Sequence, residues 1–441
     1  MKKTTIAGVL LAVALVAVLL AGCTQLQASS APSSPNEIKI GVIVSMTGPS
    51  SNVGKSMWQS AVIAANEINA NGGALVNGKR VPVRLIQGDD ASTQQGGQTA
   101  VTKLITQDNV DILVGGYSSA VTSSYQQTVA DNKIPFIVTG ASSPIITHRT
   151  DIDTNYTFHY CPTTDTYGNF TTNFIYQVIR PAIYQKFNFA NDRPLRLAVI
   201  YQNSPYGKGV LSAVNQTIAS NNLNINLVSA QPYQANEGDF HTLLTAVKAA
   251  GPDVVYVAAF PNEQGVMIPQ ARRDVGLNTI FLAVENNDDP AYYTALGQYG
   301  EYSDIESRFS PYTSPKGPIE NASQAFKQEY NATFGSYPDM MGASTYEGTY
   351  VAVQAIENAG TLDKTQVKNA LSQLSMPQMV EAMTGGNITF SKQYREAPFE
   401  LYMEQLYFVP SLNECRPTIV WPDDLKAGTF VLPDWYQPGP P

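Results

Sequence analysis

Two glycines, Gly115 and Gly116, and two serines, Ser118 and Ser119, separate the apolar run VDILV from a stretch that reads as a helix. Glycine lets backbone N–H groups come close to a guest, and a helix N-terminus offers unpaired N–H donors and partial positive charge to an anion. A similar edge, Thr139-Gly140-Ala141-Ser142, follows IPFIV, and Ser45 and Thr47 follow IKIGVIV. Further along, Asn203 and Tyr206 follow LRLAVIY, Phe260 ends DVVYVAAF, and Glu285 follows TIFLAV. The first set presents hydroxyls and N–H groups, chemistry for a carboxylate. The second presents two aromatics and one carboxylate, chemistry for an ammonium. A small zwitterion held between the two sets would satisfy both.

Plainer roles compete for the same residues. Ser118 and Ser119 are also good N-caps for the helix that follows them; Ser119 is assigned to binding and Ser118 to capping. Glu285 lies in VENNDDPAYY, whose oxygens would suit calcium. However, Asp289 before Pro290 reads as an N-cap followed by proline at the first helical position. Asp239 in EGDF reads as another cap, Trp58 as core, and Tyr206 and Phe260 could be packed aromatics. The three histidines, His148, His159 and His241, adjoin no cysteine or paired carboxylate in a nucleophile pattern. No phosphate-binding loop motif is present. The reading is therefore a binding protein without catalytic residues, metal or cofactor.

These residues need elements to hold them, and the chain supplies a regular alternation. IKIGVIV, VPVRLIQ, VDILVGG and IPFIVTG read as buried strands. Between them run helices, the first with Met57, Ala61, Ala64, Ala65 and Ile68 on one stripe. A second series, LRLAVIY, INLVSA, DVVYVAAF and TIFLAV, alternates in the same way after the irregular stretch 150–194. Alternation without hairpin turns implies parallel sheets covered on both faces, here α/β in two Rossmann-like lobes joined by several crossovers. The expected division is 37–160 plus 313–375 for one lobe, 161–312 plus 376–410 for the other, and a proline-rich tail at 411–441. Ligands of open parallel sheets bind beyond the carboxyl ends of the strands, where all the residues above fall.

The chain starts with Lys2 and Lys3, an uncharged apolar run from about Ile6 to Leu20, and Leu20-Ala21-Gly22-Cys23. This is a signal-peptide pattern over 1–22; an uncleaved anchor helix is the alternative. LAGC resembles the lipobox of exported lipoproteins, which implies lipidation of Cys23. The Ser/Ala/Pro-rich segment 23–36 then reads as a flexible linker from lipid to fold, with the body outside the cytoplasmic membrane. The 441-residue chain carries a formal net charge of −9, and loss of the two leader lysines makes it more acidic. That argues against nucleic acid as a partner. Cys161 and Cys415 remain as an even pair in an exported chain, open to a disulfide or to two separate buried thiols.

The residues quoted above also carry a family resemblance. IKIGVIVSMTGPSSNVGKSMWQSAVIAANEINANGG resembles the opening of type I periplasmic binding proteins of the leucine/isoleucine/valine-binding branch. GDDAS, VGGYSS, IPFIVTGASSP, YQNSPYGKGV, EGDFHTLLTAVKAAGPDVVYVAAF and QARRDVGL follow in the family's order, so the likeness spans about 37–390. The resemblance implies a monomer whose lobes close on a small, branched-chain or otherwise apolar, amino acid and deliver it to the permease subunits of an ABC importer. It places the α-carboxylate at Ser119, Gly140 and Ser142, and the α-ammonium at Tyr206 and Glu285; Ala141, between Gly140 and Ser142, is counted with the ligand-binding positions. Val53, and Phe260 after DVVYVAA, depart from the aromatic and the tyrosine usual there; both line the side-chain region. An amide, urea or other small polar solute, or a sensory role beside a membrane signalling partner, are the alternatives.

Overall fold

The computed structural model describes residues 35–440. The expected leader, Cys23 and the linker as far as residue 34 lie outside the described residues. The compact unit Asn36–Pro441 contains two large sheets. In the first, all strands are parallel, in the order Val83–Asp89, Ile38–Val44, Ile112–Gly115, Phe136–Val138, Thr157–His159. In the second, Ile225–Tyr233, Leu195–Gln202, Val254–Ala258, Ile280–Ala283 and Asp304–Ser307 are parallel. Both parallel sets have the spatial order second, first, third, fourth, fifth. The two lobes are thus topological repeats, and corresponding strand ends carry corresponding parts of the site.

Burial explains the strand composition. Ile38–Val44 is buried except at Lys39, because helices cover both faces of its sheet. Helix Ser51–Ala70 buries Val53, Met57, Ala61, Ala64, Ala65 and Ile68, the stripe read from sequence. One apolar core packs on each face of each sheet. The chain passes between lobes three times: after Tyr160, between Ile305 and Phe309, and between Phe399 and Leu401. Among the described residues no helix is long and apolar enough to cross a membrane.

Two expectations are corrected and one open alternative is decided. Residues 376–410 do not all join the second lobe: Val380, Met383, Ile388, Phe390, Ala397 and Phe399 pack in the first-lobe core. The segment 411–441 is not a separate tail. Glu414–Trp421 pairs antiparallel with Tyr402–Val409, which pairs antiparallel with Asp304–Ser307, so the second sheet is mixed. Beyond it, Tyr436 donates to the Asp253 carbonyl at 3.0 Å and sits in the second-lobe core. Finally, Cys161 and Cys415 are free thiols. Cys415 is packed in the second-lobe core with its thiol donating to the Gly297 carbonyl at 3.2 Å. Cys161 is buried at the first crossover, close to Arg308 and Glu381. Burial raises both thiols, Cys415 to about 12.

Candidate functional site

The loop after Ile112–Gly115 takes its shape from glycine. Gly115 and Gly116 have φ of 117° and 83°, a region that side chains avoid. A Cβ at Gly115 would also lie 2.2 Å from the Ile43 carbonyl oxygen. The turn delivers Tyr117 and Ser119 to the cleft. Ser119 starts helix Ser119–Asp131 and is 2 % exposed. Its hydroxyl accepts from the Ser143 N–H at 3.1 Å, which leaves the O–H proton for another partner. Ser118 holds the N-cap position, though its side chain makes no capping bond. The loop after Phe136–Val138 is tied to this one by Ala141 N–H donating to the Gly116 carbonyl at 2.9 Å.

Gly140, Ser142 and Ser119 line one wall of a cavity between the lobes, with Tyr117 and Met341 beside them. The other wall is Tyr206, Phe260 and Glu285, with Tyr167, Val284 and Asn286. Six of the seven positions read from sequence therefore meet in one place. Ala141 does not: its side chain packs in the core behind the sheet. Its carbonyl is bonded at 2.7 Å to His159 Nε2, which helps hold the loop. The aromatics form a stack, Tyr117 on Phe260 at 4.9 Å and Phe260 on Tyr206 at 5.5 Å. Asn286 stitches it, donating to the Tyr117 hydroxyl at 3.3 Å and accepting from Tyr206 at 3.4 Å. Burial pushes the Tyr117, Tyr167 and Tyr206 hydroxyls well up, so they stay neutral donors. The enclosed space is ≈ 10 Å³, about one water, so the lobes stand closed on each other.

Glu285 departs from the sequence reading in its surroundings. The one carboxylate of that edge is not free: it is fully buried, ion-paired with Arg308 and accepting from the Tyr167 hydroxyl. Arg308 follows strand Asp304–Ser307 at the second crossover and is itself fully buried. Its Nε reaches Glu381 at 2.8 Å and its Nη2 donates to Ser344 Oγ at 2.7 Å, both on first-lobe segments. Burial opposes its charge, but Glu381, Tyr167 and Cys161 together outweigh it and hold the guanidinium ionised. A carboxylate has about four acceptor positions, so Tyr167 and Arg308 leave capacity for a further donor. Asp289 accepts from Ala291 N–H at 2.7 Å before Pro290, the cap expected for it.

Tyr117, Tyr167, Asn286, Met341 and Arg308 were missed as site residues. Tyr117 lies inside VGGYSS and its aromatic type was a usable signal. Tyr167 sits in the polar stretch TDTYGNFTTNF, which offers no apolar periodicity to place it. Arg308 comes from a distant crossover, and nothing in its local sequence marks it.

A family model described as periplasmic binding protein matches residues 37–406. The chain belongs to the periplasmic binding protein family. It is a solute-binding protein, not an enzyme. The Leu/Ile/Val-binding protein homolog 1 of Brucella abortus (strain 2308) is 26% identical over 339 residues, 76% of this chain and 82% of that protein. The branched-chain amino acid transporter substrate-binding protein LivJ of Streptococcus pneumoniae, solved with isoleucine, superposes with TM-score 0.72 at 20% identity, over 88% of this chain and 100% of that one. An ABC-transporter solute-binding protein of R. palustris, solved with benzoate, gives 0.69 at 16% identity, over 88% and 99%. Both solved proteins share this chain's fold, and they hold chemically different ligands.

Proposed function

We propose that this protein captures a small α-amino acid between its two lobes and delivers it, as a monomer, to the permease of an ABC importer. The observation that carries the reading is the meeting, in one interlobe cavity, of anion-suited groups from one lobe with cation-suited groups from the other. Ser119, Gly140 and Ser142 would hold the carboxylate; Glu285 and Tyr206 would hold the ammonium. The amino-acid-binding relatives support the same class. Lipidation at Cys23 would tether the body outside the cytoplasmic membrane, and Cys23→Ala should release it or leave an unprocessed precursor.

One observation favours a second reading. Arg308 already neutralises Glu285, as would suit a solute with a carboxylate or amide and no ammonium. A thermal-shift screen separates the two, using the twenty amino acids, urea, simple amides and benzoate. A ligand at 100 times its Kd stabilises by about 2.7 kcal/mol. Stabilisation by an amino acid but not by its des-amino acid supports the first reading, and the reverse supports the second.

A further inference from the structure

The central cavity has little free space, and the space next to it lies past Tyr117. A second cavity, ≈ 160 Å³, shares the Tyr117 wall. It too is assembled from both lobes, with Val53 from one and Pro261 and Ala295 from the other forming apolar wall. Asn52, Asn262 and Asp289 are its polar groups. A third cavity, ≈ 320 Å³, continues from Asn52 and Asp289 outward to Asp339 and Lys55. Asp289 and Asp339 are 5 % and 4 % exposed, and among the described residues neither has an ion-pair partner. One oxygen of each is occupied by a helix cap, to Ala291 N–H at 2.7 Å and to Gly342 N–H at 2.7 Å. From Ser119 the lining thus continues past the shared Tyr117 and an apolar wall to two buried helix-capping carboxyl groups, with Lys55 in the outer cavity.

A ligand held at both α-groups has its side chain left to place. The stacked rings of Tyr206 and Phe260 block one direction; the second cavity receives it in the other. We infer that the substrate is an α-amino acid with an extended side chain ending in a cation, and that Asp289 is the receptor for that end. This rests on the amino-acid reading above. The apolar wall would cover the methylene stem and the two asparagines would take further N–H donors. Burial pushes Asp289 up to about 6 and Asp339 well above the carboxylate range, where the Asp289 charge adds to the rise; an arriving cation would offset that cost and keep Asp289 ionised.

The test is calorimetric titration of the purified full-length chain with lysine, arginine, leucine and alanine, repeated on Asp289→Asn and Asn262→Lys. Asparagine is as good an N-cap as aspartate, so Asp289→Asn keeps the helix start; Asn262→Lys changes an exposed residue at the cavity rim. The expected result is lysine or arginine at least tenfold tighter than leucine. Both variants should erase that advantage while moving alanine and leucine by no more than about twofold. Leucine binding as tightly as lysine, or a variant that weakens all four ligands equally, overturns the inference and leaves the amino-acid reading standing. Failure of all four to bind also overturns the inference, while the amino-acid reading falls only if none of the twenty amino acids binds.

Discussion

Glu285 has two functions in this protein, as the acid facing the cleft and as the counter-ion of a fully buried arginine. Breaking one side of a buried ion pair costs about 3–5 kcal/mol. Glu285→Ala should lie near the lower end in chemical denaturation, because Arg308 keeps Glu381. Glu285→Gln retains shape and an acceptor for Tyr167, so it is the better probe of binding. A second acid, Glu306, is fully buried with only hydroxyl partners, Thr171 and Tyr256. Burial raises it from 4.5 to about 8. The folded state therefore keeps a proton that the unfolded chain releases, and Glu306 lowers stability as pH rises from about 4.5 to about 8. Glu306→Gln should reduce that decline, measured as unfolding free energy at the two ends of the window; an unchanged slope would contradict it. At this scale the sequence was most informative where residue type and strand end coincide, as at Ser119 and Glu285. It gave no sign of Arg308, because ion pairing across a crossover is set by topology and not by spacing.

Elements were legible wherever burial imposed a period. The first four strands of each parallel set and the stripe of helix Ser51–Ala70 belong to that class, whereas the short fifth strands, Thr157–His159 and Asp304–Ser307, do not. Helix Thr164–Phe174 escaped because its sequence is mostly polar, although Tyr167, Thr171 and Phe174 are buried by the second lobe. Strand Glu414–Trp421 escaped because Pro417 argues against a strand in the middle of a sheet. It stands at the sheet edge, where proline is tolerated. Its role is structural: Ile419, Val420 and Tyr436 are buried by it and by the segment beyond. Each such side chain contributes about 1.5–3 kcal/mol on burial. Truncation after Pro410 should therefore lower Tm markedly or leave the chain insoluble, with an unpaired edge at Tyr402–Val409. A truncated chain with the full-length Tm would show the segment to be a dispensable tail.

For the whole molecule, the repeated strand order makes two lobes present their strand ends to one cleft, and three passes of the chain join them. A cleft enclosing space for about one water admits a ligand only if the lobes part. Ligand binding should therefore shift a population of open molecules toward the closed form, in proportion to its preference for that form. Small-angle scattering should record a smaller radius of gyration with ligand than without it; equal radii would mean that the lobes do not move. The central claim, that opposite ends of one zwitterion are held by opposite lobes, is tested most directly by calorimetric titration of wild type and Glu285→Gln. The ligands are the tightest-binding amino acid and the same molecule lacking its ammonium. Truncating one side of a buried charge pair costs about 2–5 kcal/mol, or roughly 30- to 1000-fold at 1.4 kcal/mol per decade. The account predicts a loss of that order for the amino acid in the Glu285 variant and little change for its des-amino analogue. Wild-type affinity for the amino acid in that variant, or an equal loss for both ligands, would contradict it.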